Sequence, residues 1–322
     1  MDESTEKTEQ KSVRYYRKVI RIRGEDSPNV RHALAQRRAG LPVTGEVIVP
    51  GVLPWNDYVK RRQLWDPIRQ CIGIDGIFYE GAEVLLFPPA WLNASEALAD
   101  ALKHSKRFPE AIGIDPAEGG DKTSMTCIDR YGVIEIVSKQ TPDTSVIVGE
   151  AIAFMKKHGV PPERVVFDRG GGKVHADMLR AKGYRVRTVG FGETVTPSIK
   201  RGMVSLKERT EVAESRYFYK NRRSQMYGEL RDRLDPSSFN RFAIPAHYTE
   251  LRRQLSLIPL KYDMEGRLML PPKNKRSPNS QEKTLVEILG CSPDEADSLV
   301  LALHGLLHVG TRTMVGALGG DR

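Results

Sequence analysis

Cysteine is scarce in this chain of 322 residues. Cys71, Cys127 and Cys291 are odd in number and far apart. That excludes a disulfide framework and a cysteine-rich zinc site, and it fits a reducing, cytoplasmic setting. No apolar run approaches the roughly 20 residues that cross a bilayer. The opening MDESTEKTEQKS is polar and partly acidic, unlike a signal peptide, so no membrane partner is expected. A P-loop is missing as well. GGGK at 170–173 comes nearest, but the position of the required first glycine holds Phe167. There are no internal repeats, which sets aside solenoid architectures. Negative charge is in deficit: the formal net charge is +9 and the pI about 9.4. A surplus of that sign suits a polyanionic partner such as nucleic acid, and KNRRSQMYGELRDR and KNKR offer groups for phosphate contacts.

The pattern along the chain falls into two parts. Residues 1–104 read as an irregular N-terminal extension with no independent core. Within it, YYRKVIRIRG is expected to form a strand, and NDYVKRRQLWDPIRQC a helix carrying Trp65. From residue 105 the periodicity tightens. EAIGID, TSMTCID and VIEIVSK read as three meandering strands. TPDTSVIVGEAIAFMKKHG reads as an amphipathic helix stopped by Gly159, followed by the strand RVVFD, the helix GGKVHADMLRAKG and the strand YRVRTVGFG. A right-handed crossover places RVVFD parallel to EAIGID. The fold class expected for 105–322 is α/β, a mixed sheet of a three-strand meander plus two parallel strands, flanked by helices. Helices are then expected around 205–234 and in HYTELRRQLSLI, EKTLVEILG and SPDEADSLVLALHGLLHV, with a hairpin in PLKYDMEGRLML.

Two strands end on a carboxylate. Asp115 closes an apolar strand before Pro116, Gly119 and Gly120, and Asp168 closes RVVFD before Gly170–Gly172. On adjacent parallel strands both emerge at one edge of the sheet, where open sheets place their sites. SPDEADSLVLA adds a third source. Ser292 reads as an N-cap, Pro293 as the first helical residue and Glu295 as the partner in a capping box. Asp294 and Asp297, three apart, share a face of the first turns. Ionised carboxylates sharing one place require a cation, and oxygen ligands select Mg²⁺ or Mn²⁺. Two such ions suit phosphodiester displacement. Taken singly, each of these aspartates is a turn former or a helix-start charge; their joint occurrence favours a metal site. His304 and His308 have zinc-ligand spacing, but the glutamate of the metalloprotease motif is absent, and the pair reads as satisfied or solvated.

At these residues the sequence resembles the nuclease part of the large terminase subunit of tailed bacteriophages. GIDPAEGGDKTS resembles that family's first acidic strand and turn, VVFDRGGG its second, and SPDEADSLVLAL its terminal acidic helix. The resemblance covers about residues 105–310. It implies a ribonuclease-H-like fold and two-metal cleavage of concatemeric DNA by a metal-dependent endonuclease during genome packaging. It further implies Asp115, Asp168 and Asp297 as catalytic metal ligands holding two Mg²⁺ or Mn²⁺ ions, with Asp294 the alternative to Asp297. The implied partners are double-stranded DNA, the terminase small subunit, the procapsid portal protein and a separate or missing ATPase motor, of which residues 1–104 would be a remnant or linker. The implied setting is the cytoplasm of a bacterial host.

Other readings compete. A phosphotransferase of the actin and sugar-kinase type needs a second domain with its own glycine-rich hairpin, which does not follow. A non-catalytic DNA- or procapsid-docking module has no use for the acidic triplet. A resolvase-type nuclease of the same fold differs only in substrate structure.

Overall fold

The protein is described here from a computed structural model, which covers residues 21–65, 67–77, 84–117, 122–195, 218–274 and 283–308. The chain forms two compact units that divide after residue 81. The first contains helices α1 (Pro28–Arg38), α2 (Trp55–Leu64) and α3 (Pro67–Gly73). The single helix expected around Trp65 is split, because Pro67 has no N–H to continue α2 and instead starts α3. Trp65, two residues before it, is extended, at φ −87° and ψ 141°. The strand expected at 15–24 is not formed at 21–23, where the chain is irregular and leads into a 3₁₀ turn at Gly24–Asp26; residues 15–20 lie outside the described residues.

This unit has a small core of its own, contrary to expectation. Val30, Tyr58 and Ile74 are buried together, with Leu34, Leu53, Trp55, Val59 and Trp65 against them. Those positions are too far apart in sequence for local periodicity to reveal. Asn29, fully buried, ties down the 48–52 loop: its side chain donates to the Val49 carbonyl and accepts from the Ile48 and Val49 amides.

The second unit begins with α4 (Pro89–Ala101) and is built on a five-stranded sheet. Its strands are β1 (Ala111–Asp115), β2 (Lys122–Asp129), β3 (Gly132–Gln140), β4 (Val165–Asp168) and β5 (Arg187–Val189), in the order β3-β2-β1-β4-β5. β1, β2 and β3 are antiparallel neighbours, while β4 lies parallel to both β1 and β5. This is the meander plus two parallel strands read from the sequence. Helices α5 (Ile147–His158) and α6 (Arg169–Ala181) provide the crossovers, and Gly159 ends α5 with φ 65°. α7 (Arg222–Leu234), α8 (Thr249–Ser256), a two-stranded hairpin of β6 (Lys261–Tyr262) and β7 (Leu268–Met269), α9 (Leu285–Leu289) and α10 (Asp294–His308) complete the unit. Only the 222–234 part of the helix expected at 205–234 falls within the described residues, apart from the short turn at 218–221.

The sheet is covered on both faces, so the neighbouring parallel strands β1 and β4 are apolar up to their terminal aspartates. Strand alternation assigns each residue a side. Ile112, Ile114, Val165 and Phe167 face α5 and α6, whereas Ala111 and Val166 face the core built with α7, α8 and α10. The same parity turns Gly113, Asp115 and Asp168 toward the α10 side.

α10 lies unusually close to β1. A Cβ on Gly113 would stand 2.0 Å from the Ser298 carbonyl oxygen and 2.3 Å from the Ala302 nitrogen. On the helix, a Cβ on Gly305 would meet a Val166 methyl at 2.9 Å. Ser298 locks the contact with its hydroxyl 2.9 Å from that of Ser124 and 2.6 Å from that of Thr126 on β2. Gly113→Ala would have to displace the α10 backbone and the Leu301 Cβ, and should therefore cost at least the ~1–3 kcal/mol typical of core overpacking. Chemical denaturation measures this, and an unchanged midpoint would contradict the close approach.

Candidate metal and active site

β1 and β4 pair in register, with Ile114 beside Phe167, so Asp115 and Asp168 are the next residues on neighbouring parallel strands. Asp115 is 7% exposed, and no described residue donates a hydrogen bond to it. Burial first, then the charge of Asp297, pushes its carboxyl well above the usual range; Asp168 and Asp294 add to this, and Lys273 opposes it. Asp168 also caps α6, accepting from the Gly170 amide at 2.9 Å. Its carboxyl is raised mainly by burial, against that amide and with Asp297 adding. The structure thus brings the other three expected carboxylates into electrostatic reach of Asp115. Beside Asp168 lies an open groove of about 530 Å³, lined by Arg169, Gly170, Gly190, Phe191, Gly192 and Glu193.

The two carboxylates of α10 have different surroundings. Asp294 begins the helix and accepts from the Lys122 amide at 3.0 Å. Asp297 is completely buried. Its oxygens accept from Arg223 Nη2 at 3.1 and 3.2 Å, from the Tyr227 hydroxyl at 2.7 Å and from Lys273 Nζ at 3.4 Å. Burial alone would lower the Lys273 pKa, but Asp297 and Asp115 outweigh it and hold the ammonium above its ordinary value. Arg223 also lies over the rings of Phe191 and Tyr227, 5.3 and 5.7 Å from their centroids.

Three expectations need correction. The capping box at Ser292 and Glu295 does not form: α10 starts at Asp294, and the buried Ser292 hydroxyl has no hydrogen-bond partner. The KNRR stretch is not a free phosphate-contact surface, since Arg223 is buried on Asp297 and Arg222 donates to the Thr194 carbonyl. In KNKR, Lys273 is turned to Asp297, and residues 275–276 lie outside the described residues. Sequence reading therefore missed Arg223, Tyr227 and Lys273 as partners of the acidic group. The one local signal was the i, i+4 spacing of Arg223 and Tyr227, which puts both on one helix face.

The chain matches the nuclease domain of the large terminase subunit gp2 of bacterial virus Sf6, with a TM-score of 0.52 at 20% identity, over 69% of this chain and 99% of that one. A K428A mutant of that domain with manganese and β-thujaplicinol matches at 0.51 and 19%, with the same coverage. This chain has the fold of a large-terminase nuclease domain. The large terminase nuclease of thermophilic phage G20c is more distant, with a TM-score of 0.37 at 15% identity over 61% of this chain and 80% of that one. No protein-family model and no curated protein matches the chain.

The Arg223–Asp297 pair has a direct stability test. Replacing the guanidinium by the similarly long, uncharged side chain in Arg223→Met leaves Asp297 buried with one charged partner fewer. Breaking a buried pair from one side costs about 3–5 kcal/mol. A fall in Tm is expected, larger than that for Arg222→Met, whose guanidinium meets the Thr194 carbonyl and, at 3.7 Å, the partly exposed Glu193. Equal losses in the two variants would show that the buried pair is not special.

Proposed function

We propose that this chain is a divalent-cation-dependent endonuclease acting on double-stranded DNA, the nuclease part of a large terminase subunit. The observation that carries this reading is Asp115: a carboxylate with no described donor, raised first by its burial and then by three neighbouring carboxylates. Such a group requires a cation, and an all-oxygen donor set suits Mg²⁺ or Mn²⁺. The K428A mutant of the Sf6 domain that shares the fold has been determined with manganese and with calcium, which supports a divalent ion here.

Asp115 and Asp168 are assigned as the principal metal ligands, with Asp297 the third and Asp294 the alternative. When bound, one or two divalent ions supply Lewis-acid charge for water activation and for the leaving oxygen. The residues themselves divide the remaining work. The Gly170 amide fixes the rotamer of Asp168. Arg223 and Tyr227 hold Asp297 in one orientation. Lys273 offsets part of the negative charge and is the most weakly held of the Asp297 partners, so it is the group that must yield when a cation approaches. The open groove beside Asp168 leaves room for a phosphodiester backbone. Packaging of phage DNA, with a small subunit, a portal and an ATPase motor as partners, is the setting proposed from the resemblance.

Plasmid nicking with Mn²⁺, repeated with EDTA, tests the reading. Asp115→Asn and Asp297→Asn should each lower cleavage by more than the ten- to hundredfold that loss of a supporting partner costs. Asp294→Asn should cost less if its charge serves the helix start, worth about 0.3–1 kcal/mol. Cleavage that survives EDTA would remove the metal from the proposal, and parental rates in Asp115→Asn would remove the site. A dead Asp294→Asn beside an active Asp297→Asn would reverse the choice of third ligand.

Binding is measured separately on Asp115→Asn. Its DNA affinity should stay close to the parent's and fall with salt, with a log–log slope of about −0.9 per phosphate contacted. A flat slope would argue against DNA as the substrate. Retained, salt-dependent binding by a parent protein that never cuts would favour the docking module instead.

A further inference from the structure

His304 and His308 lie one turn apart on α10, and the face they share meets Glu229 of α7. His308 Nε2 is 2.8 Å from Glu229 Oε1, and the two imidazole centroids are 4.5 Å apart. One ligand atom from each of the three residues lies within 4.8 Å of the other two. Among the described residues no other group of three or more histidine, cysteine or acidic side chains meets that spacing. Glu229 Oε1 also accepts from Gln225 Nε2 at 3.0 Å, but these contacts do not satisfy the cluster. His304 Nδ1 and Glu229 Oε2 are both buried without a hydrogen-bond partner, and His304 is only 5% exposed. Buried polar atoms left this way are costly unless something else occupies them.

We propose that Glu229, His304 and His308 form a site for one zinc-class divalent cation, separate from the acidic cluster, that clips α7 to α10. Two imidazoles and one carboxylate are the donor set of zinc rather than magnesium, with a fourth position for water. Zn–N and Zn–O bonds of about 2.0–2.2 Å require ligand atoms roughly 3.3 Å apart in a tetrahedron. Side-chain rotations of about an ångström close the present spacing to that value. Burial first, then the charges of His308, Arg222 and Arg187, hold His304 down to about 3, so its imidazole is neutral with a lone pair available. Arg222 and Arg233, whose charges reach Glu229, are directed elsewhere: Arg222 to the Thr194 carbonyl and, at 3.7 Å, to Glu193, and Arg233 to the Arg130 carbonyl. The sequence hid this site because the glutamate completing the histidine pair is 75 residues upstream, on another helix.

The site is also placed to matter. Arg223 and Tyr227, which hold Asp297, precede Glu229 on α7, and Asp297 lies two turns before His304 on α10. A cation joining the far ends of these contacts would hold the two helices in the register that orients Asp297.

The test uses the full chain, stripped of metal and titrated with Zn²⁺ by calorimetry in excess Mg²⁺, so that the acidic cluster is saturated. One zinc per chain is expected. Glu229→Gln and His308→Asn, which nearly preserve shape, should each weaken zinc binding by at least about tenfold, while Asp115→Asn leaves it unchanged. Thermal unfolding in EDTA checks that each variant is folded. Should a variant not fold, Co²⁺ bound to the parent decides: a tetrahedral visible spectrum without a thiolate band supports the nitrogen–oxygen set, and a thiolate band assigns the ion to a cysteine instead. The proposal is overturned if the parent binds no stoichiometric zinc, or if zinc binding is lost in Asp115→Asn yet kept in both cluster variants.

Discussion

The site depends on how closely α10 approaches β1. Helices normally stand off a sheet by the depth of their side chains, yet here the backbone of Ser298 and Ala302 occupies the space where a Gly113 side chain would be. That approach is what carries the charge of Asp297 to Asp115, two residues further along the same strand face. It would be unfavourable if it buried polar atoms unpaired. Ser298 instead shares its hydroxyl with Ser124 and Thr126, so the polar groups inside the contact satisfy each other. The glycine and the hydroxyl cluster are therefore two parts of one constraint: the first permits contact, and the second fixes where along the helix it occurs.

Electrostatics then sets what the contact can do. Four carboxylates share one edge of the sheet, and the counter-charge comes from Arg223 and Lys273, not from the solvent-facing basic residues that give the chain its net charge of +9. The two cations are unequal. Arg223 is buried, contacts both oxygens of Asp297 and is stacked on aromatic rings, whereas Lys273 makes a single longer contact from a half-buried position. Asp115 receives neither as a hydrogen-bond donor. The arrangement holds one carboxylate firmly and leaves another in want of a positive charge, which is the asymmetry a metal centre needs.

Much of this was legible in the sequence because it is encoded locally. The meander announces itself through short runs rich in apolar and β-branched residues and the tight turn at Tyr131-Gly132. The two crossover helices show 3.6-residue spacing and a glycine stop at Gly159. A handedness rule then suffices to place β4 beside β1, and with it Asp168 beside Asp115. What was not legible depends on distant partners. The spacing of Arg223 and Tyr227 puts them on one helix face, but nothing local shows that this face turns inward, because its partner lies 74 residues away. The core of the first unit joins Val30, Tyr58 and Ile74 across 44 residues, so no window shows it. The capping box failed for a different reason: Ser292 and Glu295 have the right spacing, but the packing of α10 against the sheet and α8 sets where the helix begins. The Ala296 amide is instead satisfied by Gln254 of α8, at 3.0 Å.

The buried ion pair between α7 and α10 is better understood as a positioning device than as a source of stability. Desolvating an arginine and an aspartate costs several kcal/mol per ion, and their attraction repays this only when the geometry is good and the remaining valences are filled. Here Tyr227 and Lys273 fill them, so the pair is tolerable, but an apolar contact of the same volume would hold two helices together at least as well. What an apolar contact lacks is direction. Arg223 and Tyr227, one turn apart on α7, meet the Asp297 carboxylate from α7, and both bonds are possible only at one register and one rotation of α10. A one-residue slip of α10 would turn Asp297 by about 100° around the helix, away from both donors and away from Asp115. The pair thus converts a helix–helix contact that could slide into one that fixes a carboxylate beside the strand end.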